Sequence, residues 1–102
     1  MAQIIWSNPA LSDLEEIAEY IALDKISAAE KLVQSVFASV DRLVDHPKSG
    51  RYPPEIAGKR YREVLIGPCR VFYRYSNKVV YIVYVMRGER KLREFILEER
   101  ED

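Results

Sequence analysis

The first half of the chain repeats its apolar residues at steps of three and four, with acidic residues between them. In the first stripe the apolar positions are Leu11, Leu14, Ile17, Ala18 and Ile21. In the second they are Ala29, Leu32, Val33, Val36, Phe37, Val40, Leu43 and Val44. This spacing predicts two amphipathic helices. Only residues 24–26 separate them, so we expect an antiparallel helical hairpin.

The ends of both helices have sequence signals. The first helix opens at Asn8-Pro9 or at Ser12, which forms a capping-box pattern with Glu15. Ser27 has the same relation to a glutamate three residues on, which predicts the start of the second helix. Pro47 disfavours helical geometry in the residue before it, so this helix is expected to stop at residue 46.

The pattern changes from helical to alternating after a loop over residues 47–60. Residues 61–66, 69–75 and 79–86 predict three strands with short links, which makes an antiparallel meander. Arg70, Phe72 and Arg74 then share one face of the middle strand. Residues 3–6 predict a further short strand. The expected fold is α+β, with the helical hairpin packed on one face of the sheet and the other face left partly open.

Composition adds a few exclusions. The 102 residues suit one domain over 1–102, and the longest apolar run, residues 79–86, is far too short to span a bilayer. We therefore expect a cytoplasmic protein with no membrane partner and no secretory signal. One cysteine, Cys69, and one histidine, His46, rule out a disulfide framework and a Cys/His metal site, so no metal or cofactor is expected.

The charges are distributed unevenly along the chain. Residues 12–46 carry eight acidic and three basic side chains, whereas residues 47–93 carry twelve basic and three acidic ones. Residues 94–102 are acidic again and are expected to form a frayed tail. The formal net charge is zero, so direct DNA binding by this chain is not expected.

The order of these segments resembles the RelE/ParE superfamily of toxins from type II toxin-antitoxin systems. The matching segments are Trp6 and residues 10–17, 20–22, 28–32, 47–51, 61–64, 67–75 and 85–90. The resemblance implies a growth-inhibiting, plasmid-stabilising toxin that a cognate antitoxin neutralises. It also implies one of two targets, because RelE-like members cleave mRNA in the ribosome and ParE-like members poison DNA gyrase.

The resemblance places arginines of this chain where the ribonuclease branch stabilises a scissile phosphate. Arg70 and Arg87 match the two family arginines, and a small slip in the alignment puts Arg90 in place of Arg87. Arg70 and Arg87 could each hold a phosphate with two hydrogen bonds. Phe95 stands where a ribonuclease has a tyrosine, and a phenyl ring cannot transfer a proton.

We therefore favour a non-catalytic, ParE-like gyrase inhibitor. The alternatives are a ribosome-dependent mRNA endoribonuclease and a non-toxic relative that only binds antitoxin. The expected target-binding residues are Arg70, Arg74, Arg87, Arg90 and Arg93. The expected antitoxin-binding residues are Leu14, Ile17, Ile21, Val33, Phe37, Arg62 and Tyr73. Cys69 is expected to be a small buried apolar residue, and His46 to cap a helix end.

Overall fold

The computed structural model describes residues 1–101. Its elements, in chain order, are β1 (Gln3–Trp6), α1 (Asn8–Ala22), α2 (Ile26–Asp41), a 3-10 turn (Arg42–Val44), β2 (Arg62–Ile66), β3 (Cys69–Ser76), β4 (Val79–Arg87) and α3 (Glu94–Glu101). The predicted hairpin, meander and N-terminal strand are confirmed. Within the described residues, no helix is long and apolar enough to cross a membrane.

The four strands form one mixed sheet in the order β1-β4-β3-β2. β2, β3 and β4 pair antiparallel, while β1 runs parallel to β4 with Trp6 opposite Ile82. The register of β3 and β4 shifts between Phe72 and Tyr73, so β4 carries a bulge at Val83. β4 lies inside the sheet, as its apolar character on both faces predicts.

The helical hairpin covers one face of the sheet and forms the larger core. The most deeply buried members of this core are Ala10, Leu14, Val36, Val40, Leu43, Cys69, Val71, Tyr73, Val80, Ile82 and Val85. The helices bury most of the predicted apolar stripes, because those positions recur with the helical period, while Leu11 and Phe37 stay exposed. The hairpin therefore holds α1 beside β4, where the candidate site lies.

The opposite face of the sheet is covered, which corrects the expectation that it stays partly open. Tyr61, Phe72, Val83, Met86, Leu92 and Leu97 form a second core there. Leu97 belongs to α3 and is fully buried. The prediction of a frayed tail is therefore wrong for residues 94–101, because burial of Leu97 and contacts made by Arg100 hold this segment as a helix. Asp102, the last residue of that predicted tail, lies outside the described residues.

The start of α1 is the first of its two predicted positions, whereas the bounds of α2 differ from the predicted ones. α1 begins at Asn8, and its cap is Ser7, whose Oγ accepts a hydrogen bond from the Ala10 amide at 3.2 Å. The capping box at Ser12 is therefore not the helix start. α2 begins at Ile26 after Lys25, which gives no side-chain cap, and it ends at Asp41 before the 3-10 turn. The sequence predicts that this helix continues to residue 46, but the α-helix ends at Asp41, where the chain tightens into the 3-10 turn.

Candidate functional site

Arg70 is the most enclosed of the predicted target-binding arginines. Its Nε donates to Glu63 Oε1 at 2.6 Å, and its two terminal nitrogens donate to Glu55 Oε2 and Oε1 at 2.6 and 2.8 Å. These hydrogen bonds raise the pKa of Arg70, and the same contact with Arg70 lowers the pKa of Glu55. Only 8% of the residue is exposed. The guanidinium is therefore engaged within the protein.

Glu63 joins this network to the loop that precedes β2. Its carboxylate has no solvent-exposed surface and also accepts from Arg51 Nε at 2.8 Å. The backbones of Glu63 and Arg51 exchange hydrogen bonds of 2.7 and 3.0 Å. A buried carboxylate is stable only when it is paired, and here two arginines supply the pairing. The network therefore fixes the loop around Arg51 to the edge of β2.

Tyr73 and Arg62 hold the beginning of the same loop. The Tyr73 hydroxyl donates to the Pro47 carbonyl at 2.8 Å and accepts from the Gly50 amide at 2.9 Å. Arg62 donates to the carbonyls of Lys48 and Gly50 at 3.0 and 2.8 Å, and its second terminal nitrogen donates to a neighbouring tyrosine hydroxyl. Tyr73 is fully buried, so in this structure its side chain holds the loop and has no exposed surface for the predicted antitoxin contact. Arg62 is half-buried and mainly ties the loop to β2.

Arg74 faces α3 rather than open solvent. Its Nε donates to Glu101 at 2.8 Å, a bond that raises the pKa of Arg74, and its guanidinium lies 4.5 Å from the ring centre of Tyr81. Arg70, Phe72 and Arg74 share one face of β3, as the alternation predicts. This face is the one that α3 and the second core cover, so neither arginine projects freely.

Arg87 and Arg90 line a cleft between α1 and the end of β4. It has a volume of about 300 Å³, and its lining residues are Asp13, Glu16, Ile17, Tyr20, Tyr84, Val85, Met86, Arg87 and Arg90. Arg87 lies over the Tyr20 ring at 4.6 Å and pairs with Glu89 at 2.6 Å. Arg90 is exposed. Arg70 instead lines a second cavity beside Cys69 and Glu89, so the three arginines do not line one cleft.

Asp13 lines this cleft and pairs with Arg100, and sequence reasoning missed both residues. Arg100 donates to Asp13 Oδ2 at 2.5 Å and to Oδ1 at 2.9 Å, and it also reaches the Val83 carbonyl at 3.0 Å. Asp13 in turn accepts from the Val85 amide at 3.0 Å. The bonds to Asp13 raise the pKa of Arg100. No periodicity links residues so far apart in the chain, so only the fold reveals the pair.

The predicted antitoxin-binding residues of the helices divide between the core and the surface. Leu14 and Ile17 are 3% and 8% exposed and pack in the larger core, and Ile17 also lines the cleft beside β4. Ile21 and Val33 are half-buried, and Phe37 is exposed at 37% beside Trp6, with the two rings 5.0 Å apart. A helix facing the sheet cannot present the same apolar stripe to a partner.

A groove between α1 and α2 runs along the outer side of the hairpin. Its volume is about 460 Å³, and its lining residues are Ala18, Glu19, Ala22, Ile26, Ala29, Glu30, Val33 and Gln34. Alanines keep the groove open, because their side chains end at Cβ. Of the predicted antitoxin-binding residues, Val33 is the one that lines it.

The other residues that the sequence analysis named as candidates do not connect the cleft and the groove into one site. Arg93 is exposed, and Phe95 is exposed at 57%. Cys69 is buried at 1% exposure, as expected, and burial raises the pKa of its thiol. His46 is exposed and follows the 3-10 turn, where its amide donates to the Arg42 carbonyl at 3.0 Å.

Comparisons with known proteins agree with this architecture. A family model described as the ParE toxin of the type II toxin-antitoxin system, parDE, matches residues 4–92. Toxin RelE2 of Caulobacter vibrioides is 31% identical over 91 residues, which cover 88% of this chain and 99% of that protein. A Sinorhizobium fredii protein described as a candidate toxin, Y4kP, is 38% identical over 79 residues, covering 76% of this chain and 79% of that protein.

A solved structure has the same fold. A chain from the chromosomal ParDE TA system of P. aeruginosa superposes with a TM-score of 0.70 at 26% identity, covering 87% of this chain and 98% of that one. The helical hairpin and sheet that the sequence predicts are thus those of a known toxin architecture. The chain belongs to the ParE toxin family of type II toxin-antitoxin systems.

Proposed function

We propose that this toxin inhibits DNA gyrase without performing catalysis and that a cognate antitoxin neutralises it. The observation that carries the proposal is the position of Arg70, whose Nε and both terminal nitrogens bind Glu63 and Glu55. A phosphate clamp needs those donors free to meet the charge that develops in the transition state. The arrangement supports a structural role for Arg70.

The proton-transfer groups of a ribonuclease are also poorly matched. In-line cleavage by a ribose hydroxyl needs a base and an acid near the scissile phosphate. Phe95 has no hydroxyl, and His46 is exposed after the 3-10 turn, whereas Arg87 and Arg90 line the cleft beside β4. These positions favour binding over chemistry.

The proposed gyrase contacts are the exposed arginines after β4. Arg90 and Arg93 are exposed, whereas Arg70, Arg74 and Arg87 each pair with a carboxylate. Exposed arginines can form charge-assisted hydrogen bonds without first breaking an internal ion pair. The proposed antitoxin contacts are the outer groove of the hairpin and the exposed Phe37.

An mRNA endoribonuclease is the second candidate. It is favoured by the similarity to toxin RelE2 and by the cleft that Arg87 and Arg90 share. Two cations beside one cleft can hold a phosphate, even when Arg70 lies elsewhere. This candidate predicts cut mRNA, whereas the first predicts intact mRNA.

One experiment measures gyrase inhibition and mRNA cleavage by the same protein. The toxin is induced in a bacterial host without its antitoxin, and plasmid supercoiling and mRNA integrity are measured from the same culture. Purified toxin is then added to a gyrase supercoiling assay and to programmed ribosomes. Loss of supercoiling with intact mRNA supports the proposal. Cut mRNA with normal supercoiling overturns it in favour of the ribonuclease, and normal growth with neither effect leaves a protein that only binds antitoxin.

The antitoxin is identified in the same host. The short protein encoded beside the toxin gene is co-expressed, and recovery of growth together with co-purification identifies it as the neutralising partner. A neighbouring protein that restores growth without forming a complex would contradict neutralisation by binding.

A further inference from the structure

A long connection between the helical hairpin and β2 is held in place by side chains of the sheet. Residues 45–61 join the 3-10 turn to β2 and contain no helix or strand. Connections of this length are uncommon inside a compact domain, and those that occur are usually functional. Tyr73, Arg62 and Glu63 anchor this segment through the hydrogen bonds described above. The anchored loop, residues 47–60, therefore has a fixed shape although it contains no regular element.

The outer surface of the anchored loop is positively charged. Residues 47–62 carry five basic side chains and one carboxylate, and both oxygens of that carboxylate, on Glu55, bind Arg70. Lys48 and Lys59 are exposed and form no ion pair within residues 1–101. Arg51 pairs with Glu63 through Nε, but its side chain is 56% exposed. The acidic residues of the helical hairpin therefore balance the net charge without neutralising this surface.

Four cations of this region are held next to one another. Arg62 donates to the Lys48 carbonyl at 3.0 Å and to the Tyr52 hydroxyl at 2.8 Å, and its guanidinium lies 4.4 Å from the centre of the Tyr52 ring. The ammonium nitrogen of Lys59 lies 5.8 Å from the centre of the same ring. Arg51 precedes Tyr52 in the chain. The basic face, which consists of Lys48, Arg51, Lys59 and Arg62, is therefore one contiguous and preorganised surface.

The composition of the basic face fits phosphates better than a protein surface. The centres of protein–protein interfaces are depleted in lysine and depend on exposed apolar or aromatic anchors. Among the large hydrophobic side chains of residues 47–60, Tyr52 alone is exposed, and Arg62 lies over its ring. Contacts with phosphates need only cations and polar groups. Because a ring beneath a guanidinium offers little stacking surface to an unpaired base, a duplex fits better than a single strand.

The basic face also lies beside the proposed gyrase contacts. Arg51 lines the same cavity as Gly88 and Glu89, which belong to the turn after β4. Arg90 follows Glu89 in the chain and is exposed. A target that consists of a protein and its bound duplex can therefore meet both regions of the toxin at once.

We propose that the basic face contacts the phosphate backbone of the DNA duplex that gyrase holds, while Arg90 and Arg93 contact gyrase itself. The proposal rests on the proposed function, because it names a second component of the same target. Phosphate contacts carry no sequence information, so this contact is independent of the DNA sequence. The toxin alone binds DNA weakly, because its net charge is zero and the acidic hairpin repels phosphates.

Equilibrium binding tests the DNA contact. Full-length toxin with a fluorophore on its N-terminal amine is titrated with gyrase, with gyrase bound to a linear duplex, and with the duplex alone. Fluorescence anisotropy should show binding to the gyrase–DNA complex at least about tenfold tighter than to gyrase alone at about 50 mM KCl. Most of this gain should disappear at about 200 mM KCl, because phosphate contacts weaken with salt. Equal affinity for gyrase with and without DNA would overturn the proposal.

Two matched double variants show whether the basic face supplies this gain. Lys48→Gln/Lys59→Gln removes two exposed cations that form no ion pair and should reduce the DNA-dependent gain to about threefold or less. The slope of log affinity against log salt should become shallower by about two, because each phosphate contact contributes about 0.9. Lys25→Gln/Lys31→Gln removes two exposed lysines from the helical hairpin and should bind like the parent toxin. Equal DNA-dependent gains for both variants would contradict the assignment.

The outcomes separate this proposal from the proposed function. If the toxin inhibits gyrase but DNA adds no affinity, the DNA contact alone is wrong. If the toxin binds gyrase neither with nor without DNA, gyrase inhibition is wrong and the DNA contact fails with it. If Lys48→Gln/Lys59→Gln loses antitoxin affinity or mRNA cleavage while it keeps the DNA-dependent gain, the basic face serves a protein or an RNA, and the proposal is overturned.

Discussion

Arg100, in the last turn of α3, donates two hydrogen bonds of 2.5 and 2.9 Å to the carboxylate of Asp13 in α1. The two residues lie 87 positions apart in the chain. Since Asp13 also binds the Val85 amide and Arg100 the Val83 carbonyl, the pair joins α1, β4 and α3 at one point. This contact provides hydrogen-bond partners for the backbone of β4 beside its bulge and holds α3 against the sheet.

Asp13→Asn is expected to lower the free energy of unfolding by about 1–3 kcal/mol, because a half-buried arginine loses its counter-charge while the amide keeps only part of the hydrogen bonding. Urea unfolding followed by circular dichroism measures the loss. Asp24→Asn, in the exposed turn between the first two helices, is the control and should stay within about 0.5 kcal/mol. A loss no larger than the control's would show that this pair does not hold α3.

Glu63→Gln should destabilise the fold by about 2–4 kcal/mol, because it leaves Arg70 with less compensation in a buried position. Glu89→Gln is the matched control, since Glu89 pairs with Arg87 at the surface and such pairs contribute little. Chemical unfolding of both variants gives the comparison. If Glu63→Gln and Glu89→Gln lose the same stability, the loop network around Glu63 is not a structural support.

Alkaline pH should destabilise the protein through three tyrosines that are buried or half-buried. Burial raises the pKa of Tyr61, Tyr73 and Tyr84 above the ordinary value of 10.0. The unfolded chain therefore loses these phenolic protons first as the pH rises. The stability associated with their protonated form is fully present below about pH 10 and disappears as the pH passes the folded-state values.

The loss of stability at alkaline pH is measured from urea unfolding midpoints between pH 8 and 11, and tyrosinate absorbance is recorded in parallel. Tyr84→Phe removes one of the three groups and should make the decline with pH shallower. A stability that stays flat to pH 11, or a decline that Tyr84→Phe does not change, would contradict this assignment.

The parts of the fold that follow from periodicity could be predicted from the sequence. Apolar residues at helical spacing predict α1 and α2, and alternation predicts that Arg70, Phe72 and Arg74 share a face of β3. α3 could not be predicted, because its eight residues include four glutamates and lack a repeated apolar stripe. Short helices are marginal on their own, so this one depends on burial of Leu97 and on Arg100.

The candidate site was harder to predict because side-chain roles depend on distant partners. A strand tyrosine such as Tyr73 can face solvent or the core, and only its contacts with Pro47 and Gly50 decide which. An ideal Cβ on Gly50 would lie 2.5 Å from the Tyr73 hydroxyl, so this glycine is needed for the close approach. Likewise, the sequence identifies Arg70 as a candidate cation but contains no sign that two glutamates surround it.

Removing the exposed arginines after β4 should separate target binding from folding. The double variant Arg90→Ala/Arg93→Ala is expected to weaken gyrase inhibition by at least about tenfold, because two charge-assisted contacts are lost. Its unfolding free energy should change by no more than about 0.5 kcal/mol. Lys31→Ala/Arg42→Ala removes two exposed positive charges from the helical side and should inhibit like the parent protein. Equal inhibition by both double variants would place the gyrase contacts elsewhere.

The outer groove of the helical hairpin should bind an apolar helix face of the antitoxin. Ile26 is 66% exposed and lines this groove, whereas Leu23 is 86% exposed and lies outside its lining. Ile26→Glu therefore places a charge where apolar contact is expected and should weaken the complex by about tenfold or more, because the partner would bury an unpaired carboxylate. Leu23→Glu introduces the same charge three residues away and should have little effect. Calorimetric titration of both variants with the antitoxin measures the difference, and a larger loss from Leu23→Glu would move the helix-binding surface to the tip of the hairpin.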